Sequence, residues 1–119
     1  MTNPDKVVIV EDDALIAYYM KDVCEEFGAH VAGIAADGET ALNLIREERP
    51  SHILMDVRLV GPMDGVDVAT MISTESPDIK IIYVTGSNEP ATLELISMTS
   101  PHRILIKPIN PNQLCDALS

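Results

Sequence analysis

Lys6-Val7-Val8-Ile9-Val10-Glu11-Asp12-Asp13 is the stretch on which the reading of this chain turns. A short β-branched run of this kind marks a strand buried on both faces, and here it stops at three consecutive acids. The next segment, Ala14 to Phe27, carries Leu15, Tyr18, Tyr19, Val23 and Phe27 near helical spacing, with Asp13 placed as N-cap and Gly28 as the stop. The alternation then repeats. His30 to Ala35 reads as a strand, Asp37-Gly38 as a turn, and Glu39 to Glu48 as a helix with Ala41, Leu42 and Ile45 on one face before Pro50. Ser51 to Met55 is a third strand that ends at Asp56. After the breakers Gly61-Pro62, Asp64-Gly65 opens a helix bearing Val66, Ala69, Met71 and Ile72. Ile79 to Val84 is a fourth strand, ending at Thr85-Gly86, and Pro90 to Met98 a short helix. Arg103 to Ile106 is a fifth strand, ending at Lys107-Pro108, and Pro111 to Leu118 a last helix. Five alternations of strand and helix predict a parallel α/β sheet with right-handed crossovers and helices on both faces.

The size suits one compact domain, residues 1–119. Apolar residues make up 46% of the chain but aromatics only 3%, so the core must be built from Val, Ile, Leu, Ala and Met. A net charge of −11 argues against direct nucleic-acid binding, because phosphate backbones would be repelled. It suits a protein whose ligand is a cation or whose partner carries a basic patch. Cys24 and Cys115 have no metal-type spacing and sit in apolar helical patterns, so both are read as buried free thiols of a reducing compartment. Without an apolar run of signal-peptide length behind Lys6, or any apolar stretch of membrane-spanning length, the chain is expected to be cytoplasmic and not membrane-bound.

In an open parallel sheet, ligands bind beyond the carboxyl ends of the strands. Strand one ends at Glu11-Asp12-Asp13, strand three at Asp56, strand four at Thr85 and strand five at Lys107. Each has a plain structural reading when taken alone. Acids cap helices, Asp and Thr-Gly make turns, and a lone lysine is usually on the surface. Their joint placement on one sheet edge outweighs those readings. Clustered carboxylates repel unless a cation compensates, and Mg2+ favours such oxygen ligands with a phosphate oxygen. Lys107 supplies a point charge for a phosphoryl group, Thr85 a hydroxyl donor, and Asp56, alone on the middle strand, a nucleophile that would form an acyl phosphate. No glycine-rich cradle follows strand one, so ATP is not the implied donor. His30, His52 and His102 fall at or near strand starts, away from this edge, and are read as non-catalytic.

The ordered set Glu11-Asp12, Asp56, Thr85 and Lys107-Pro108 resembles the signature of bacterial two-component receiver domains, over nearly the whole chain. The resemblance implies a flavodoxin-like sheet of strand order 2-1-3-4-5 and Asp56 as phosphoacceptor. It further implies a Mg2+ site made by Glu11, Asp12, Asp56 and the backbone carbonyl of Arg58, with Asp13 left as the helix cap. Thr85 becomes the switch hydroxyl, Lys107 the phosphoryl-binding lysine, and Lys107-Pro108 a cis peptide. The partners it implies are a sensor histidine kinase or a histidine phosphotransfer protein, with a phosphorylation-linked dimer as a further option. The switch would act on the segment from Ser87 to Met98, the fifth strand and the last helix. Such a domain is not an enzyme beyond promoting its own phosphorylation and dephosphorylation. Three features depart from the pattern. Ile104 stands where the family often has an aromatic, leaving Tyr83 to contribute differently. The loop after Asp56 is one residue longer than the commoner form, and the acidic cluster has three members.

Three other functions compete. An aspartate-based phosphohydrolase typically carries a second Asp two residues after the nucleophile, where this chain has Arg58. A flavin carrier would not place Glu11-Asp12-Asp13 around a phosphate. A partner-binding domain that is never phosphorylated has no feature of its own to recommend it. The short last helix leaves open either a single-domain regulator or a piece of a longer protein. Arg58 and Ser87 flank the site and are expected to affect the lifetime of the phosphorylated form.

Overall fold

The computed structural model describes residues 5–59, 61–86 and 90–119. In chain order the elements are β1 (Lys6–Val10), α1 (Ala14–Phe27), β2 (His30–Ala35), α2 (Gly38–Glu48), β3 (His52–Met55), α3 (Gly65–Glu75), β4 (Lys80–Thr85), α4 (Pro90–Ser97), β5 (Arg103–Ile106) and α5 (Pro111–Leu118). The strands form one parallel sheet of order β2-β1-β3-β4-β5. This is the predicted flavodoxin-like architecture, and the Lys107-Pro108 peptide is cis, as the resemblance implied.

Burial follows from position in the sheet. The middle strands are buried on both faces, so β1, β3 and β4 are apolar almost without interruption. Alternate residues serve two core layers. Val7, Ile9, Leu54, Ile82 and Val84 meet α1 and α5 on one face, while Val8, Val10, Ile53, Met55 and Tyr83 meet α2, α3 and α4 on the other. The edge strand β5 is only half-buried.

Two helix faces differ from expectation. In α1 the buried stripe is Ala17, Met20, Val23 and Cys24. Leu15, Tyr18, Tyr19 and Phe27 are exposed, and of the face read from the sequence only Val23 is buried. The sequence reading followed bulk, whereas the helix lies against the sheet through small and flexible side chains that let it approach closely. In α3 the same thing happens. Val68, Ala69 and Ile72 are buried, and Met71 faces outward. Both cysteines are free, but only Cys24 is buried; Cys115 is partly exposed on α5. Among the described residues, no helix is long and apolar enough to cross a membrane.

Candidate functional site

Sheet register brings the chemistry together. Val10 stands beside Met55 in the β1–β3 ladder, so the next residues out, Glu11 and Asp56, are neighbours. Their main chains extend the ladders by one bond each: Glu11 N donates to Ala35 O at 2.9 Å, and Asp56 N donates to Val10 O at 2.9 Å. On the far side, Lys107 N donates to Thr85 O at 2.8 Å, continuing the β4–β5 ladder to the cis peptide. Glu11, Asp56, Thr85 and Lys107 therefore each leave a fixed strand end rather than a free loop.

Glu11 and Asp56 are both buried, at 2% and 7% exposure, while Asp12 is exposed. One carboxylate oxygen from each of Glu11, Asp12 and Asp56 lies within 4.8 Å of the others. Among the described residues this is the one cluster of three acidic, histidine or cysteine groups close enough to share an ion. Lys107 Nζ donates to Glu11 Oε1 at 2.7 Å and stands 3.7 Å from Asp56 Oδ2. Asp13 does not join the cluster. Its side chain accepts from Leu15 N and Ile16 N at 3.0 and 3.3 Å, capping α1.

The electrostatics are strained toward one remedy. Burial, reinforced by Asp56, pushes the Glu11 carboxyl above its ordinary range despite the lysine. Burial also presses on the Lys107 ammonium, but Glu11 and Asp56 outweigh it and hold its pKa above the ordinary value. Ionised, three carboxylates against one ammonium leave a surplus of negative charge in a site that is half closed to water. A hard divalent cation with oxygen ligands fits that donor set, and no soft ligand is present in the cluster.

Thr85 is buried at the end of β4, at 2% exposure. Arg58 turns its backbone N–H to Asp56 Oδ1 at 3.3 Å and its side chain to solvent. Ser87 lies outside the described residues. Of the Tyr18-Tyr19 pair, Tyr19 lines a cleft with Ile16, Lys107, Pro108 and Ile109 beside the site, and Tyr18 is the more exposed.

One positioning residue had not been singled out. A Cβ on Gly65 would overlap the carbonyl oxygen of Asp56. The N-terminus of α3 thus packs directly against the peptide that carries the Asp56 side chain, and Gly65 N donates to Val57 O at 2.8 Å. The sequence signal was the Asp64-Gly65 pair, read only as a helix start. Asp64 does serve that role, through a capping box with Asp67.

Comparison with known proteins agrees with this geometry. A family model described as the response regulator receiver domain matches residues 7–119. The chain is similar to chemotaxis protein CheY of Thermotoga maritima, 28% identical over 114 residues, covering 96% of this chain and 94% of that protein. It is also similar to the DNA-binding response regulator MtrA of Mycobacterium tuberculosis, 29% identical over 113 residues; the match covers 95% of this chain but 48% of that protein. Among solved structures, the signal receiver domain of a modulated diguanylate cyclase from Desulfovibrio desulfuricans superposes with a TM-score of 0.90 at 29% identity. That match covers 98% of this chain and 91% of the other.

Proposed function

The chain belongs to the response regulator receiver domain family of two-component signalling, and from that premise we propose that it is a phosphorylation switch in which Asp56 accepts a phosphoryl group. The observation that carries the reading is the placement of Asp56, buried between an acidic pair and the Lys107 ammonium. An Asp56 carboxylate oxygen attacks phosphorus and forms a new P–O bond. The bond from phosphorus to the donor's leaving group breaks, an imidazole nitrogen in a phosphohistidine or a carboxylate in acetyl phosphate. Glu11, Asp12, Asp56 and the Arg58 carbonyl would hold Mg2+. When bound, the ion supplies positive charge against the three carboxylates and the equatorial phosphoryl oxygens. Lys107, already drawn toward Asp56, pairs with a phosphoryl oxygen, and the Thr85 hydroxyl donates to another. The Arg58 N–H, aimed at Asp56, steadies the nucleophile.

The donor is a histidine kinase or a histidine phosphotransfer protein in the cytoplasm. The readout is the face of α4, β5 and α5, through partner binding or a phosphorylation-linked dimer. An acidic chain of this kind reaches nucleic acid only through a partner or another domain. Catalysis is confined to the domain's own phosphorylation and dephosphorylation.

Intact mass after incubation with acetyl phosphate tests the reading, with and without Mg2+ and with Asp56→Ala in parallel. A metal-dependent, base-labile gain of one phosphoryl group that the variant lacks is the expected result. A folded protein that gains nothing under varied donors and metals leaves only a partner-binding domain.

A further inference from the structure

The position where the family often has an aromatic is Ile104, which carries no hydroxyl. Beside it in the β4–β5 ladder stands Tyr83, fully buried, in the same core layer as Ile96, Leu93 and Ile104. Tyr83 is two residues before Thr85, so both side chains leave the same face of β4. Its hydroxyl lies 2.7 Å from Thr99 Oγ1. Thr99 Oγ1 itself donates to Ile96 O at 2.7 Å, so its single proton is spent there. The order of donation is therefore settled: the Tyr83 hydroxyl donates to Thr99, and Thr99 donates to the last turn of α4. Burial pushes the Tyr83 phenol up to about 12, which keeps the proton that makes this bond.

Thr99 makes two further hydrogen bonds and is itself buried, at 7% exposure. Its N–H donates to Ile96 O at 3.0 Å, and its carbonyl accepts from Ser73 Oγ on α3 at 3.2 Å. The helix it closes is otherwise lightly held. Ile96 is the one buried residue described in α4, and Leu95 and the following Met98 point to solvent at 56% and 78% exposure. The C-terminal end of α4 is thus fixed to β4 by a buried hydrogen bond and to α3 by a half-buried one, while its first turn has no such attachment among the described residues.

We propose that Tyr83 is a positioning residue of the switch: through Thr99 it pins the C-terminal end of α4 to β4, so that α4 turns about Thr99 when Asp56 is phosphorylated. The turning rests on the phosphorylation reading above; the pin does not. The buried strut replaces the missing aromatic at Ile104 with a fixed attachment, and confines movement to the end of α4 nearest Thr85.

Hydrogen exchange read by mass spectrometry on the whole chain tests this, with Tyr83→Phe and Thr99→Val, each before and after acetyl phosphate and Mg2+. Intact mass on the same samples reports phosphorylation. In the unmodified protein, either variant should raise exchange across Ile96 to Thr99 about tenfold, the scale of one buried hydrogen bond. Exchange in β1 and β3 should stay at the wild-type rate. After phosphorylation, wild type should change in the first turn of α4 and hold at Thr99, whereas Tyr83→Phe should change along the whole helix. Equal exchange at Ile96 to Thr99 in wild type and both variants overturns the pin. So does an equal rise in every strand, which is loss of global stability. A phosphorylated wild type whose Thr99 end moves as much as its first turn overturns the pivot. Absence of the mass gain sinks the functional reading, and the pin is then decided by exchange in the unmodified protein alone.

Discussion

The two edges of this sheet handle buried polar groups in opposite ways. At the carboxyl edge Glu11 and Asp56 are brought together with Asp12 against one lysine. Like charges are concentrated, and the Glu11 carboxyl is driven up by burial first and by its neighbour second. At the amino edge the groups are Ser51, His52 and His102. Ser51 Oγ accepts from Lys6 N and donates to Lys6 O, tying β3 to β1. His52, 3% exposed, places Nδ1 2.8 Å from the same hydroxyl. The His52 and His102 rings meet edge to face with centroids 6.2 Å apart. Burial pushes His52 down, toward the neutral imidazole. One edge gathers charge; the other buries His52 so that charge on its imidazole is disfavoured. His52 and Asp56 are four residues apart on one strand, about 13 Å at the usual rise, so the contrast belongs to the edges and not to the strand.

Breaking the carboxyl edge should have the largest effect. Asp56→Ala abolishes the phosphoryl mass gain, while His52→Gln leaves its extent unchanged. Loss in both variants would mean that the edges are not independent. Gly65→Ala comes next. The added methyl meets the Asp56 carbonyl, a backbone atom that cannot rotate away, so a loss of about 3 kcal/mol in denaturant unfolding is expected. A variant as stable as wild type would show that α3 can shift without cost. Lys107→Ala follows. It leaves Glu11 buried without its 2.7 Å partner, which should cost about 1–2 kcal/mol and slow phosphorylation about tenfold or more. Unchanged kinetics would remove Lys107 from the site.

The parts of this contrast that could be read from the sequence were those set by strand ends. A parallel sheet aligns the carboxyl ends of its strands, so Glu11, Asp56, Thr85 and Lys107 could be placed together from order alone, and the structure brings Glu11, Asp12, Asp56 and Lys107 into contact range. What escaped depends on which side of an element faces inward. The buried stripe of α1 runs through Ala17 and Cys24, and spacing alone cannot separate it from the bulkier Leu15 and Tyr18 alongside. The Tyr83–Thr99 bond joins residues on either side of α4, and no spacing rule foretells it. Gly65 looked like a helix start because the reason for its missing Cβ lies in the Asp56 backbone nine residues earlier. The three histidines were set aside because they fall at strand starts away from the carboxyl edge, yet two of them meet at the amino edge.

That amino edge gives the smallest prediction and the one that tests the opposition of sign. The folded protein binds the His52 proton less tightly than the unfolded chain, whose imidazole titrates near its ordinary 6.5. Below that pH the unfolded state takes up a proton that the folded state refuses. Stability therefore falls as pH drops from about 6.5 toward the lower folded value, and His52 has no effect above that window. One site sets a slope of at most about 1.4 kcal/mol per pH unit. Burial, the largest influence, disfavours the imidazolium; Lys80 and His102 act with it, and only Asp5 opposes it. Glu11 runs the other way. Its folded value lies above the ordinary 4.5, so its contribution is lost as pH rises through that folded value, not as pH falls. Urea unfolding in the absence of divalent ions, from about pH 5.5 to 7.5, separates the two. His52→Gln should flatten the acid side of the wild-type profile, whereas Glu11→Gln, which removes an opposing slope, should not flatten it. If His52→Gln keeps the full acid slope, the amino edge is not where charge is refused, and the contrast between the edges fails at its weaker end.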